Sequence, residues 1–131
     1  MAEAAGDITG GCFCGAVRYR LARVEQVANC HCSMCRRISG APLVTWLVVP
    51  RAAFAYTSGE PAHLQSSARG ERDFCAACGT PIACRLLGQP EHVDVTLGSL
   101  DHPDRFTPAL DVHRRSRLPW VPVADRCPRH G

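Results

Sequence analysis

The chain has 131 residues and a mass of 14.2 kDa, the usual size of one domain of about 100–200 residues. Hydrophobic residues make up 46% and charged residues 21%, a globular composition that excludes a disordered chain. The net charge is +3 and all 15 basic residues are Arg, so catalytic lysine chemistry is excluded. Because no basic stripe with interleaved aromatic residues is present, nucleic acid is not an expected partner.

The apolar segments and the first residues do not resemble those of a membrane or secreted protein. The longest apolar stretch, residues 41–50, is much shorter than the roughly 20 residues that span a bilayer. Residues 1–7 have neither the basic nor the apolar region of a secretory signal, so we expect a cytoplasmic protein without a membrane partner. We expect one domain over residues 1–131, with about 1–8 and 125–131 as loosely held ends.

Short strands dominate the predicted secondary structure. Apolar and polar residues alternate over 16–21, and a β-branched apolar run covers 43–49. Further strands are expected at 54–56, before a turn at 57–59, and at 82–86 and 93–97. Helical turns are expected only at 33–38, ended by Ser39 and Gly40, and around 101–105. This pattern favours a mostly β fold of antiparallel sheets with one or two short helical turns.

The first group of cysteines combines two pairs that are far apart in the chain. Cys12 and Cys14 are two residues apart and therefore share one face of a strand. Cys75 and Cys78 form a C-x-x-C-G turn, in which Gly79 permits the tight bend. Four sulfurs in this pattern predict a structural zinc ion, and the alternative is two unrelated pairs of buried thiols.

The second group is local: Cys30, Cys32 and Cys35 lie within six residues. Three ligands without an obvious fourth are typical of a metal site with one open position, as in catalytic zinc. An open position would admit water or an external thiol, so these three are the candidate catalytic residues. Thiolate ligands suit zinc or iron.

Other residues could close this second site or change its chemistry. Cys84 lies in an alternating strand and is expected in the core. The sequence does not indicate where Cys127 lies, and His31 would point away from the neighbouring cysteines in an extended segment. A redox pair of Cys32 and Cys35 is a further alternative, although thioredoxin-like motifs lie in a βαβ pattern that is absent here.

Taken in chain order, these motifs carry a resemblance to a known family. The segments are Gly10-Gly11-Cys12-Phe13-Cys14-Gly15-Ala16-Val17-Arg18-Tyr19, Cys30-His31-Cys32-Ser33-Met34-Cys35-Arg36-Arg37 with Ser39-Gly40-Ala41, Phe74-Cys75-Ala76-Ala77-Cys78-Gly79-Thr80-Pro81, and finally His113 with Leu118-Pro119-Trp120-Val121. The chain resembles the glutathione-dependent formaldehyde-activating enzyme family, which includes centromere protein V.

The resemblance implies a β-tent of antiparallel sheets stabilised by two zinc ions. The structural ion would be bound by Cys12, Cys14, Cys75 and Cys78, and the second ion by Cys30, Cys32 and Cys35. The implied activity is that of a carbon–sulfur lyase, S-(hydroxymethyl)glutathione synthase. Glutathione would be the thiol substrate, and formaldehyde or a related aldehyde the second small-molecule partner.

The residues around the second site suggest how such an enzyme would work. Metal coordination deprotonates a captured thiol, which then attacks the aldehyde carbon. Arg36 and Arg37 are the candidate substrate-binding residues, able to balance the thiolates or to bind a carboxylate; solvated surface or support for the thiolates is the alternative. His113 is a candidate proton carrier, with a structural role as the alternative.

The alternative function is a non-catalytic zinc-stabilised β module for protein interaction, since structural zinc alone can stabilise a small sheet. Exposed aromatic side chains would favour such a module. The aromatic candidates lie mostly in apolar strand patterns and are expected in the core. They are Phe13, Trp46, Phe54, Tyr56, Phe106 and Trp120.

Overall fold

The structure, a computed structural model, describes residues 7–123. This part of the chain forms ten strands, one α-helix and four 3₁₀ turns. The strands are β1 (Ile8–Gly11), β2 (Arg18–Leu21), β3 (Gln26–Cys30), β4 (Val44–Pro50), β5 (Phe54–Ser58), β6 (Ala62–Ser67), β7 (Gly70–Phe74), β8 (Pro81–Leu86), β9 (His92–Thr96) and β10 (Leu110–Val112). The helix is α1 (Ser33–Ser39), and the 3₁₀ turns are Arg51–Ala53, Leu97–Ser99, Pro103–Arg105 and Arg114–Ser116. Within residues 7–123, no helix is long enough to cross a membrane.

The strands form two sheets. One has three strands in the order β1-β2-β5, and the other has seven in the order β10-β3-β4-β9-β8-β7-β6. The neighbouring strands pair antiparallel, except that β10 runs parallel to β3, with Val112 opposite Cys30. The mostly β prediction is confirmed. The expected antiparallel pattern needs a correction at this edge, because the chain crosses over after β9 and returns in the direction of β3.

The two faces of the large sheet have different roles. On β4, Leu47 and Val49 are fully buried, whereas Trp46 and Val48 point to the opposite face, because successive side chains alternate along a strand. The main core joins the buried face of the large sheet to the small sheet. Its members include Ile8, Tyr19, Leu21, Val27, Leu47, Val49, Ile82, Val93, Val95 and Phe106. The opposite face of the large sheet borders a cavity, described below.

The strands with clear alternation were predicted correctly, and so was the helix. β2, β4, β5, β8 and β9 coincide with the expected segments. α1 ends where Gly40 adopts a left-handed conformation (φ 70°) and donates its N–H to the carbonyl of Arg36. β1, β3, β6, β7 and β10 were not predicted. β6 is mostly exposed, and β7 buries two charged residues, Arg72 and Asp73, so neither shows the usual alternation.

Two aromatic residues correct the core prediction. Phe13 is 92% exposed and Trp120 is 69% exposed, because neither lies in a strand. Phe106 belongs to the main core, as predicted, and Trp46 is buried but faces the cavity side of the large sheet. Near the start of the chain, Ile8 is buried in β1 although it falls within the range expected to be loosely held. Residues 1–6 and 124–131, including Cys127, lie outside the described residues.

Candidate functional site

Two turns bring the first four cysteines together. Cys12 and Cys14 follow β1, and Cys75 and Cys78 lie in the turn between β7 and β8. The four Sγ atoms lie within 4.8 Å of one another, with Cys12 and Cys14 3.6 Å apart and Cys14 and Cys75 3.8 Å apart. A tetrahedral zinc with Zn–S bonds of about 2.3 Å requires sulfur–sulfur distances of about 3.8 Å. The four thiols therefore fit one zinc ion.

Hydrogen bonds around this cluster lower the pKa of Cys12 and Cys78, whereas contacts with the other three thiols raise the pKa of Cys14 to about 11. The N–H of Val17 donates to Sγ of Cys12 at 3.2 Å. Hydrogen bonds from the hydroxyl and the N–H of Thr80 lower the pKa of Cys78 to about 5. Gly79 has φ 87°, a conformation that favours glycine, and its N–H closes the turn on the carbonyl of Cys75. The predicted C-x-x-C-G turn is confirmed, together with the approach of both cysteine pairs. The expected strand at Cys12 and Cys14 is wrong, because β1 ends at Gly11 and the chain turns between Cys12 and Val17.

The second cysteine group lies where β3 passes into α1. Cys30 is the last residue of β3, Cys32 caps the helix, and Cys35 lies in its first turn. The three Sγ atoms lie within 4.8 Å of one another, and those of Cys30 and Cys35 are 3.3 Å apart. Sγ of Cys32 accepts the N–H of Cys35 at 3.3 Å. This arrangement brings three thiols together without any long-range contact.

The close contact between Cys30 and Cys35 separates their acidities. The hydrogen bond with Cys30 lowers the pKa of Cys35 to about 5 against the opposing effect of burial, and contacts with Cys32, Arg72 and Trp46 act in the same direction. The same hydrogen bond, together with burial, raises the pKa of Cys30. Of this pair, Cys35 is the thiol with the lower pKa.

The three thiols line a cavity of about 950 Å³ on the outer face of the large sheet. Apolar walls come from β3, β4 and β10: Ala28, Trp46, Val48, Leu110 and Val112. Charged and titratable groups of both signs line the rest: Glu25, Glu91, Asp94, Arg72, His92 and His113. The volume lies in the range typical of small-molecule sites, about 300–1,000 Å³. None of Cys12, Cys14, Cys75 and Cys78 lines this cavity.

His31 lies on the opposite face from the two cysteines beside it. Its Nε2 is 2.7 Å from Oδ1 of Asp111, and both side chains are fully buried. Nδ2 of Asn29 donates to the same carboxylate oxygen. His31 is not part of the thiol group, so it attaches the end of β3 to β10 while the cysteines face the cavity.

A third group of residues that could bind a metal, His63, Glu71 and Asp73, is paired with the side chain of Arg85. The guanidinium of Arg85 donates to both carboxylates, and the buried Asp73 also accepts the hydroxyl of Tyr56. This cluster is therefore a charge network that links β6, β7 and β8 to the small sheet.

The comparison with protein families decides the relationship. A sequence model of the family described as "Glutathione-dependent formaldehyde-activating enzyme" matches residues 7–116. The chain belongs to this family.

Two individual relatives agree with this assignment. A protein of Halomonas elongata, provisionally named a glutathione-dependent formaldehyde-activating enzyme, is 29% identical over 132 aligned positions, covering 91% of this chain and 82% of the relative. A crystal structure of a Rhodobacter sphaeroides protein, a structural genomics target, has a TM-score of 0.61 at 24% identity and covers 71% of this chain and 87% of that one. The second likeness concerns the fold alone.

In this formaldehyde-activating family member, the arginines singled out from the sequence do not line the cavity. Nη1 of Arg36 donates to the carbonyls of His31 and Ser116, and Arg37 is exposed. Their predicted part in substrate binding stays a prediction. Arg36 has a structural contact in any case, because it joins the cysteine segment to the C-terminal part of the chain.

The structure gives positions to two further candidates. Cys84 is buried, as predicted, but it packs with Cys30, Cys35 and Trp46 beside the cavity and not in the main core. It is not among the thiols that lie within 4.8 Å of one another, and burial raises its pKa to about 11. His113 is exposed at the cavity wall, and its backbone is left-handed with φ 56°. Its predicted role in proton transfer stays a prediction.

Sequence analysis missed the charged residues that face the cavity from the strands. Arg72 is 9% exposed and its Nη2 donates to Sγ of Cys35 at 3.7 Å. Asp94, on β9, also lines the cavity, and burial raises its pKa to about 6. The only sequence signal for Arg72 was its place three residues before the Cys75 turn, and pattern analysis treats an arginine as exposed.

Proposed function

We propose that this family member is a zinc-dependent carbon–sulfur lyase of the S-(hydroxymethyl)glutathione synthase type. It would join glutathione to formaldehyde or a related aldehyde, and would catalyse the reverse cleavage. The observation that carries the proposal is the position of Cys30, Cys32 and Cys35, a compact thiol group on the wall of a 950 Å³ cavity. The family match supports the choice of substrates.

The two cysteine groups would have different tasks. The four thiols of the first group are enough for one structural zinc ion and do not line the cavity. The three thiols of the second group would hold another ion and leave one ligand position for the substrate thiol. Zinc bound by these thiols would supply one property, the deprotonation of a coordinated thiol at neutral pH.

The cavity is chemically suited to a zwitterionic tripeptide. Glutathione carries one ammonium and two carboxylate groups near neutral pH. Carboxylates of Glu91 and Asp94 and the imidazoles of His92 and His113 line the same space. With the guanidinium of Arg72 in the same lining, both signs of charge are available beside the apolar wall, as is typical of small-molecule sites.

The reaction needs no oxidant and no reductant. The sulfur of glutathione forms a bond with the carbonyl carbon, the C=O π pair moves onto the oxygen, and the proton lost by the thiol ends on that oxygen. Arg72 supports the thiolate character of Cys35 through its Nη2 contact, and Cys32 both faces the cavity and caps α1. His113, at the cavity wall, is the proposed proton carrier.

A native mass spectrum of the zinc-loaded protein, recorded with and without millimolar glutathione, tests the proposal. We expect two zinc ions per chain and a glutathione adduct. In Cys32→Ser, the adduct should disappear while the melting temperature changes little, because serine also caps helices well. Cys84→Ala removes a thiol of the same cavity that lies outside the ligand group, so this control should keep the adduct.

The alternative outcomes are equally clear. If the parent protein binds two zinc ions but no glutathione, the non-catalytic β module becomes the better explanation. If Cys32→Ser unfolds, the second group is a structural site. The single domain over residues 1–131 and the cytoplasmic location are part of the same proposal and stay predictions.

A further inference from the structure

A second, smaller cavity reaches the same thiol group from the other side of Trp46. It has a volume of about 370 Å³ and shares Cys35, Trp46 and Arg72 with the large cavity. The three shared side chains are each at least nine-tenths buried, so they form the boundary between the two spaces. The rest of the small cavity has a mixed lining. Its apolar members are Ile38, Leu43, Val44, Pro81 and Leu97, its hydroxyl-bearing members are Ser39, Thr45, Thr80, Thr96 and Ser99, and Gly98 completes it.

Arg72 has unused hydrogen-bond donors at this boundary. Its Nε donates to Oγ of Ser66 at 3.1 Å, its Nη2 contacts Sγ of Cys35, and its guanidinium carbon lies 5.8 Å from the centre of the Trp46 ring. None of the ion pairs among residues 7–123 includes Arg72, and no hydrogen bond of that region uses its Nη1.

The free donors of Arg72 face open space. In the described part of the chain, Nδ1 of His31 is the single side-chain nitrogen or oxygen that is sealed from solvent without a partner. Nη1 of Arg72 is therefore accessible to solvent, although Arg72 as a whole is only 9% exposed. Besides the two cavities above, Arg72 and Trp46 line a third one of about 260 Å³, and a guanidinium in this position can bind an oxygen that enters a cavity it lines.

The contact with Cys35 indicates which substrate oxygen Arg72 can reach. In the proposed reaction, the substrate sulfur must approach the three thiols. This sulfur bonds to the carbonyl carbon of the aldehyde, so the aldehyde oxygen lies one bond away from the reacting carbon. The carboxylates of glutathione are separated from its sulfur by several bonds. A guanidinium 3.7 Å from Sγ of Cys35 lies at the reacting end of the substrate, not at its carboxylates.

We infer that the small cavity is the aldehyde site and that Arg72 holds the carbonyl oxygen. This inference rests on the proposed function and adds the place of the second substrate. The thiol would enter through the large cavity and the aldehyde through the small one, so the reactants meet beside Cys35. The volume and the mixed apolar and hydroxyl lining suit formaldehyde and short-chain aliphatic aldehydes, which have a polar carbonyl and a small apolar body.

Arg72 would act on the charge that develops during bond formation. As the new S–C bond forms, the π pair of the C=O bond becomes negative charge on the oxygen, and guanidinium N–H groups stabilise that charge. The proton released by the thiol then neutralises the oxygen. Arg72 keeps its own proton throughout, because arginine is not deprotonated in proteins.

Filling the small cavity at its rim tests where the aldehyde binds. Gly98 lines this cavity, is exposed, and a Cβ placed there meets no heavy atom within 4 Å, so Gly98→Phe should fold normally. In the zinc-loaded enzyme, we expect the KM for butanal to rise at least about fivefold and the KM for glutathione to stay within about twofold. Gly98→Ala is the matched control and should behave like the parent. Equal changes in both KM values, an unchanged aldehyde KM, or a parent that does not convert butanal would each overturn the inference.

Substitution of Arg72 tests the contact with the oxygen. Arg72→Met should lower kcat about 10²–10³-fold, the usual loss when an oxyanion donor is removed, and Arg72→Lys should recover part of it. Calorimetric binding of glutathione to both variants should stay within about threefold of the parent. A large loss of glutathione affinity in Arg72→Lys would instead assign Arg72 to the thiol substrate.

A binding measurement without turnover separates this inference from the proposed function. Propionamide presents a planar carbonyl that does not react with thiols. In the zinc-loaded parent, it should shift the indole N–H resonance of Trp46, assigned with the help of Trp120→Phe, and Gly98→Phe should abolish the shift. A failure of the parent to bind glutathione would refute the proposed function, whereas a missing Trp46 shift would refute the aldehyde site.

Discussion

The two cysteine groups of this protein have similar ligands and opposite surroundings. Cys12 and Cys75 are members of the main core, together with side chains of both sheets. Cys30 and Cys35 belong instead to a small cluster with Trp46 and Cys84 that borders the cavity. The first group joins residues 61 positions apart, whereas Cys30 and Cys35 are five apart. From these surroundings, we expect the first group to contribute more to the stability of the fold than the second.

The largest expected effect is the loss of a thiol from the first group. Cys75 is 1% exposed, and Cys75→Ser should abolish cooperative folding. The apparent binding energy of structural zinc is about 10–16 kcal/mol, as large as the whole stability of a typical domain. Far-UV circular dichroism during heating measures the unfolding transition. Cys32→Ser, the matched loss of a thiol from the second group, is the control and should keep this transition. A cooperative transition in Cys75→Ser near the parent temperature would contradict the contrast between the two groups.

The two faces of β4 should differ in the same way, but by less. Leu47→Ala removes a fully buried side chain from the main core and should cost about 2–5 kcal/mol of unfolding free energy. Val48→Ala removes a half-buried side chain from the cavity wall and should cost less than about 1 kcal/mol. Urea denaturation of the zinc-loaded proteins measures both. Equal losses would mean that the cavity face is packed as tightly as the core.

The smallest expected effect is a pH dependence on the cavity side. Burial raises the pKa of Asp94 from an ordinary value of 3.8 to about 6, so the folded state binds more protons than the unfolded state between these values. This carboxyl therefore makes stability fall as the pH rises from about 4 to about 6, by at most about 3 kcal/mol at 1.36 kcal/mol per unit.

Asp94→Asn isolates this contribution. The variant should lose the fall in stability between about pH 4 and pH 6, as measured by urea denaturation at several pH values. Asp101 provides a control of opposite sign, because its contacts with Arg18 and Thr9 lower its pKa to about 2, and its stabilisation is lost as the pH falls through that range. An unchanged profile in Asp94→Asn would show that Asp94 is solvated in the folded protein.

Local chemistry explains which parts of this molecule were predictable. The cysteine spacings and the strands with clear alternation, such as β4 and β9, depend on residues close together in the chain, and the structure agrees with them. Gly40 ended α1 as expected for the same reason. The approach of Cys12 to Cys75 was also correct, because two incomplete ligand pairs complete each other.

The rest depended on contacts that no local pattern reveals. The parallel pairing of β10 with β3 and the buried pair of His31 and Asp111 connect residues about 80 positions apart. Arg72 looks like a surface residue in the sequence, and its burial is explained by its contacts with Cys35, Ser66 and Trp46. Phe13 was misplaced because it lies in the turn between Cys12 and Cys14, not in a strand that packs on the core.

The late position of β10 in the chain has a consequence for biosynthesis. Val112 pairs with Cys30, and β10 supplies one wall of the cavity, yet it leaves the ribosome about 80 residues after the thiols do. Until β10 is synthesised, β3 is an edge strand next to the three thiols Cys30, Cys32 and Cys35. Unpaired edge strands are prone to wrong pairing. Metal or a thiol reductant available at that moment would protect the nascent chain, so the yield of active protein should depend on zinc during expression more than on zinc added afterwards.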